Sequence, residues 1–309
     1  MPQQSHAQPR HLSGAFSTLC SAVPRAALRR LWPLCLAGAS LALFSSPGNA
    51  DLITAYNDPD LFGTLKQQDV GLIGDSACAP TSVVNSFVYL EQRYPAIFGR
   101  SLVPELTVDG EYDTAEMTAV ALTLAGPNYM ATTEQSGTQD GYMAFGKEKY
   151  MEQQAPDKTL YRAVAEGAWD GPAGMQPDWY QASTVPTIEF LYEALAGAFD
   201  VEVGVTWTGS GETGGHWITA YGLTFDTVTK LGSLSFIDPW EAVDLTGLLE
   251  ILPSGKIQLT YQGGAADPDT LTSTIDIIVA ETAAPESAVV FLFGAGGLTL
   301  LVVRRRRRV

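Results

Sequence analysis

Gly74-Asp-Ser-Ala-Cys78-Ala-Pro-Thr-Ser-Val-Val-Asn-Ser-Phe87-Val-Tyr-Leu-Glu-Gln-Arg-Tyr94 is the stretch from which the fold is read. Val83, Phe87, Leu90 and Tyr94 recur at helical spacing, and Val84 and Val88 widen the stripe, so a buried helix is predicted over residues 80–94. Pro80 suits the first turn. Tyr94-Pro95 ends the helix, because a residue before proline avoids the helical region. Cys78 therefore stands at the helix start, where free backbone N–H groups and the helix dipole favour a thiolate.

Working outward, Asp113–Leu124 is also predicted to be helical, as is Thr187–Ala196, where Ile188, Leu191, Tyr192 and Leu195 share a face. Between them, residues 125–182 are rich in Gly, Gln, Asp and Tyr and read as irregular, with a helix at 158–168. The pattern changes after residue 200. Val201, Val203, Val205 and Trp207 alternate as in a strand, and Gly209–Gly215 is a loop. His216–Leu223, Leu231–Asp238, Ile257–Tyr261 and Thr274–Val279 are further strands, the second stopped by Asp238-Pro239. Helices first and antiparallel strands later give one α+β domain over residues 51–284.

The chain has 309 residues, 46% of them apolar and 10% aromatic, which excludes disordered and fibrous classes. The net charge of −16 argues against nucleic acid as a partner. The charge is unevenly spread. Arg10, Arg25, Arg29 and Arg30 are the only charged residues of the first fifty, and Arg304, Arg305, Arg306, Arg307 and Arg308 are consecutive. The middle segment, 51–285, holds nine basic residues against 33 acids. No glycine-rich phosphate loop follows a strand, and one histidine with one thiol makes a poor zinc site, so neither cofactor nor metal is expected. Asp109-Gly-Glu111-Tyr-Asp113 lacks the full spacing of a calcium loop and reads as a solvated turn.

Both ends read as addresses. Residues 1–50 have a basic stretch to Arg30, an apolar run Leu34–Phe44, and Gly48 and Ala50 placed for cleavage after Ala50, which is the pattern of a secretory signal peptide. At the other end, Pro285-Glu286-Ser287 precedes sixteen uncharged residues, Ala288–Val303, and the five-Arg cluster. As a helix the uncharged run is about 24 Å long, close to a bilayer core once the Arg side chains snorkel. This order resembles the PEP-CTERM sorting tail of Gram-negative bacteria, with Ser287 where Pro is commonest. The resemblance covers residues 285–309. It implies an exported envelope protein, held in the inner membrane by a C-terminal transmembrane helix until an exosortase processes the tail, then placed at the cell surface or outside. It also implies the export machinery, and extracellular polysaccharide, as partners.

Cys20, Cys35, His6 and His11 all lie in the leader, so a mature chain would keep one cysteine, Cys78, and one histidine, His216. Nucleophilic catalysis is thereby narrowed to one pair. His216 opens a strand in Gly214-Gly-His-Trp-Ile-Thr-Ala-Tyr-Gly222, and Phe236-Ile-Asp238-Pro-Trp240 puts a carboxylate at the end of the next strand. Neighbouring strand ends can bring Asp238 to the far nitrogen of His216. Cys-Ala-Pro-Thr-Ser before an apolar helix, then Gly-His-Trp-Ile-Thr, then Asp-Pro, resembles the papain-like cysteine peptidases, nearest to the bacteriocin-processing type. Ala79 stands where that family usually has Gly. The resemblance spans residues 65–95 and 200–240. It implies a papain-like fold, with a helical part bearing the Cys and a C-terminal antiparallel sheet. It further implies Cys78 as nucleophile, His216 as base and Asp238 as its orienter, acting on a peptide or protein substrate. Of Gln67 and Gln68, Gln68 is the expected oxyanion-hole donor. The alternative reading is a non-catalytic envelope or matrix protein that binds peptide or polysaccharide with the same fold. Acyl transfer to an amine uses the same order of residues and is the minor reading. Residues 100–200 carry no motif and are expected to build the substrate-selecting face. Trp169, Trp179, Tyr180, Trp207, Trp217 and Trp240 are read as core or groove-lining aromatics.

Overall fold

The computed structural model describes residues 51–104, 112–208, 214–263, 270–284, 290–294 and 297–301. The expectations for residues 1–50, for Pro285, Glu286 and Ser287, and for the five terminal arginines lie outside the described residues. In chain order, β1 (Leu52–Tyr56) is followed by two 3-10 segments, Pro59–Leu61 and Gln67–Ser76. Four helices come next, α1 (Cys78–Arg93), α2 (Pro95–Phe98), α3 (Thr114–Ala125) and α4 (Asp140–Gln154). Then come β2 (Thr159–Ala165), β3 (Tyr180–Gln181) and α5 (Ile188–Ala196). The remaining strands are β4 (Asp200–Trp207), β5 (Gly215–Asp226), β6 (Leu231–Asp238), β7 (Val243–Ile251), β8 (Ile257–Gln262), β9 (Thr270–Ala283), β10 (Val290–Gly294) and β11 (Gly297–Leu301).

Strands β4 to β9 each pair antiparallel with the next, and β9 pairs back with β4, which closes a six-stranded barrel. Closure removes two exposed sheet edges. β1 extends β5 outside the ring, and β2 with β3 extends β9. Alternation along the strands sorts side chains to two sides. Val201, Val203, Val205, Ile218, Ala220, Leu234, Phe236, Leu259 and Ile275 form one core, which α5 joins through Ile188, Leu191 and Leu195. Trp217, Ile237, Ile277 and Val279 point the other way and pack with Phe87, Leu90, Leu124 and Met143 of the helical layer.

Helix α1 is the centre of that layer, with every residue from Cys78 to Glu91 buried. Its polar residues therefore need partners inside the protein. Asn85 clasps the backbone of Leu65, accepting from its N–H at 2.8 Å and donating to its carbonyl at 3.1 Å. Glu91 accepts from the N–H groups of Leu102 and Val103 and from the Tyr112 hydroxyl. Asp113, expected in a solvated turn, is the N-cap of α3 and forms a capping box with Glu116.

The structure departs from the expected elements in three places. Residues 159–165, expected within a helix, form β2, because they pair residue for residue with β9 from Thr159 opposite Ala283 to Ala165 opposite Ile277. Residues 140–154, expected to be irregular, form α4. Its buried face includes Gly141, Gly146 and Lys147, which hide the apolar stripe from a reading by periodicity. The apolar run after residue 288, expected as one helix, contains the paired strands β10 and β11, with Gly294 opposite Gly297 at the reversal. Among the described residues no helix is long and apolar enough to cross a membrane.

Lys147 is fully buried and bonds three carboxylates, Asp200 at 3.1 Å, Glu202 at 2.5 Å and Glu281. Asp200 and Glu202 lie on the face of β4 opposite its valines, and Asp200 stands opposite Glu281 in the ladder. Helix α4 covers this polar face, so the acids need an internal cation. Burial alone would lower the Lys147 pKa, but the three acids together hold it up, so the ammonium stays charged. Burial raises Asp200 and Glu281, only partly offset by Lys147. Raised carboxylate values mean that the folded state binds these protons more tightly, so this part of stability falls as pH rises above the ordinary carboxylate value. Lys147→Met is expected to cost about 3–5 kcal/mol in urea unfolding, because it strands buried charge. The loss should be larger at about pH 8 than at about pH 5, where the stranded acids take up protons.

Candidate active site

Cys78 is the first residue of α1 and is free, 8% exposed. No side chain caps the helix and its first turn holds no acid, so the N–H groups there are left to act on the thiol. The helix is seated on β5 by two reciprocal bonds. Ser82 Oγ donates to the Trp217 carbonyl at 3.1 Å, and Thr219 Oγ1 donates to the Ser82 carbonyl at 3.2 Å. This seat lies one turn beyond Cys78 and one residue beyond His216, so it brings thiol and imidazole together. The Cys78 thiol and the His216 imidazole face one cavity, and the thiol is close enough to act on the imidazole's charge.

His216 Nε2 bonds Asp238 Oδ1 at 2.9 Å, which leaves Nδ1 as the nitrogen for the thiol. The same carboxylate oxygen accepts the Trp240 N–H at 2.9 Å. β5 and β6 are antiparallel neighbours, so the start of one and the end of the other meet at one end of the barrel. Trp207, on β4, stacks on the His216 ring with centroids 5.9 Å apart and planes 19° apart. Gly214 has a φ of +111°, which favours glycine, and a Cβ on Gly215 would lie 2.6 Å from the Val205 carbonyl oxygen.

Burial by itself would lower the His216 pKa. The Asp238 charge and hydrogen bond, with a smaller effect from Cys78, outweigh it and push it up to about 10. Burial would raise Asp238, but the His216 charge, its hydrogen bond and the Trp240 N–H hold the carboxyl below its ordinary value. The arrangement is a thiol next to an imidazole that carries its proton at neutral pH, oriented by a buried carboxylate. Such a group can hold a thiolate as an ion pair and later deliver a proton to a leaving group.

No protein-family model matches the chain, and no curated protein matches it. A cavity of about 300 Å³ opens on Cys78 and His216. It is walled by Gly204–Thr206 of β4, Gly214–Trp217, Asp276 of β9, and Ser136–Thr138 with Asp140 ahead of and at the start of α4. Ser76 Oγ, two residues before the thiol, donates to the Glu134 carbonyl and ties the 136–140 wall to the Cys78 segment. A larger cleft of about 490 Å³, lined by Thr54–Asp58, Tyr89, Arg93 and Leu195, holds neither thiol nor imidazole.

Sequence reasoning placed Cys78, His216 and Asp238 at the site, and the fold brings all three together. Gln68 is not brought there. It is exposed, donates to Asp75 Oδ1 at 3.3 Å, and does not line the cavity. Its neighbour Gln67 is buried, with its backbone N–H on the Pro239 carbonyl and its amide on the Gly74 carbonyl, so it braces the Asp238 turn. Of the aromatic residues, Trp217 lines the cavity, while Trp169 and Trp179 pack against Tyr180 away from it. Asp140, Asp276 and Ser136–Thr138 were missed, because nothing in their local sequence marks a wall built from distant segments. Among the described residues one trio of carboxylates, Asp200, Glu202 and Glu281, is close enough to hold a metal ion, and Lys147 already bonds all three.

The His216–Asp238 pair has a defined pH window. A histidine raised from 6.5 to about 10 contributes fully below its unfolded value and loses its contribution as pH rises toward 10. A lowered aspartate contributes above its ordinary 3.8 and loses its contribution as pH falls through its folded value. Asp238→Ala is therefore expected to cost about 3 kcal/mol between roughly pH 4 and 6.5. The deficit should shrink steadily toward pH 10, as read by urea unfolding across that range.

Proposed function

We propose that the chain is an exported envelope protein whose domain, residues 51–284, is a papain-like cysteine peptidase. The observation that carries this reading is the Cys78 thiol facing the same cavity as an imidazole whose Nε2 holds the Asp238 carboxylate at 2.9 Å. Cys78 sulfur attacks the peptide carbonyl carbon, and the charge on oxygen faces the uncapped N–H groups at the start of α1. His216 gives its proton to the leaving amine as the C–N bond breaks, which leaves a thioester. It then takes a proton from water as the hydroxide adds to the thioester, and the C–S bond breaks to release the acid and re-form the Cys78 thiolate beside protonated His216. Backbone N–H groups take the oxyanion role expected of Gln68.

The second reading, a non-catalytic binding protein, is favoured by one observation: among the described residues no glutamine amide lines the cavity. The two readings separate on the alkylation rate of Cys78 by iodoacetamide, read by peptide mass spectrometry to exclude Cys20 and Cys35. A free thiol of pKa ~8.5 is about 0.3% ionised at pH 6. The peptidase reading expects fast labelling that persists to about pH 5 and falls at least tenfold in His216→Ala. It also expects peptide hydrolysis to fall by at least about a thousandfold in Cys78→Ala. Slow labelling that rises only toward pH 8.5 and ignores His216 would sink it.

Residues 285–309 are proposed as the sorting tail and membrane anchor. In hydrocarbon every backbone polar group needs a partner within the segment, which a helix provides and an open two-stranded hairpin does not. The apolar run would thus be helical once inserted. Deleting residues 285–309 should release the protein from carbonate-washed membranes in a Gram-negative host, and retention in the membrane pellet would refute the anchor.

A further inference from the structure

Cys78 and His216 share their cavity with two carboxylates that the proposed chemistry does not use. Asp140, the first residue of α4, lines the wall, and its carboxylate has no hydrogen bond or ion pair among the described residues. Asp276 lines it from β9 and accepts a bond from the Thr274 hydroxyl at 3.2 Å. A third acid, Asp170, stands behind Asp140 and accepts the Gly141 N–H at 2.5 Å. The nearest cations are already engaged. Lys256 is 4.0 Å from Asp276 but bonds Glu166 at 2.7 Å, and His216 is committed to Asp238.

We infer that this cavity is a subsite for a cationic side chain, Lys or Arg, of the peptide substrate, with Asp140 as its principal counter-charge and Asp276 as the second. The inference rests on the peptidase reading for the identity of the ligand, but its electrostatic part stands on the cavity alone. A partly buried carboxylate without a partner costs free energy that a cationic ligand can return. Burial, together with Asp170 and Asp276, pushes Asp140 up to about 7, which shows that the protein itself does not stabilise its charge. A guanidinium or ammonium in the cavity would. Of the small wall residues, Gly214 and Gly137 face open space, where an added Cβ would meet nothing or only the Ser76 carbonyl 3.8 Å away, and they leave room for a long stem beside the thiol. Lys256 lies nearer Asp276 than any other described cation, so Asp140 should carry the larger share of recognition.

The test uses the full chain and two readouts. The first is kcat/KM for peptides blocked at both ends and identical except for Arg, Lys, citrulline or Glu at one position, walked along the sequence. Blocking the α-amine separates a side-chain subsite from an N-terminus site. Arg is expected to exceed its neutral isostere citrulline by about thirtyfold at one position. Asp140→Asn should reduce that ratio to a few-fold, and Asp276→Asn should reduce it less. The second readout does not need catalysis. It is the ratio of Cys78 labelling rates for a trimethylammonium-ethyl and a sulfonato-ethyl methanethiosulfonate, at about 0.15 M salt so that distant charges are screened. The ratio should favour the cation and fall at least about fivefold in Asp140→Asn. Hydrolysis without an Arg preference, or with one that ignores both substitutions, overturns the subsite and leaves the peptidase standing. No hydrolysis with a labelling ratio that depends on Asp140 supports the cation site and removes the peptidase. No hydrolysis with a ratio that ignores Asp140 overturns both.

Discussion

The seat of α1 on β5 is the constraint on which the rest of this molecule depends. Ser82 and Thr219 exchange hydrogen bonds with each other's strand and helix backbone in a fully buried layer. An unpaired hydroxyl or carbonyl there would cost on the order of 1–3 kcal/mol, so the helix cannot slide or rotate on the strand without losing more than it gains. Once that register is set, Cys78 at the head of the helix and His216 near the head of the strand have only one relative placement. The clasp of Asn85 on Leu65 and the bond from Gln67 to the Pro239 carbonyl tie the segment before Cys78 to the turn after Asp238. Thiol, imidazole and carboxylate thus hang on three separate elements that are cross-braced by buried polar bonds.

The barrel supplies what the helix cannot. Its closure puts the end of β4, the start of β5 and the end of β6 side by side, so Trp207 stacks on the imidazole that Asp238 orients. Where helices cover its outer face, the strands must be compatible with burial on both sides. β5 and β9 meet that with Trp217, Tyr221, Ile277 and Val279. β4 does not, and Lys147 from α4 is the compensation. The acidic character of the chain is thus handled differently in two places. Behind β4 the acids are given a buried cation, while in the cavity beside Cys78 they are left without a full partner.

Much of this was legible in the residues. The periodicity of Val83, Phe87 and Leu90 and the alternation of Val201, Val203 and Val205 report burial directly, and α1 and β4 lie where those patterns put them. Cys78 and His216 were legible by elimination, since only one Cys and one His lie after residue 50, and Asp238 by the Asp-Pro that ends its strand beside the start of the His216 strand. Other parts were not legible. α4 buries a lysine and two glycines, so its inner face does not look apolar. β2 has no strong local preference and is a strand because β9 is beside it. Gln67 and Gln68 are adjacent and chemically identical, and only the path of the 3-10 segment turns one inward and the other to solvent.

By itself the sequence determined the chemistry available to this protein: one thiol and one imidazole in the central segment, an acidic middle, and the apolar patterns of the main helix and the barrel strands. These follow from composition and from side-chain periods of about 3.6 and 2 residues, which are local properties. Only the tertiary structure decided the closure of the barrel, the burial of Lys147, the inward turn of Gln67 and the meeting of Asp140 and Asp276 beside Cys78. The reason is physical. Each of these joins residues far apart in the chain, and the free energy that selects them comes from burial and pairing that exist only after the segments have met.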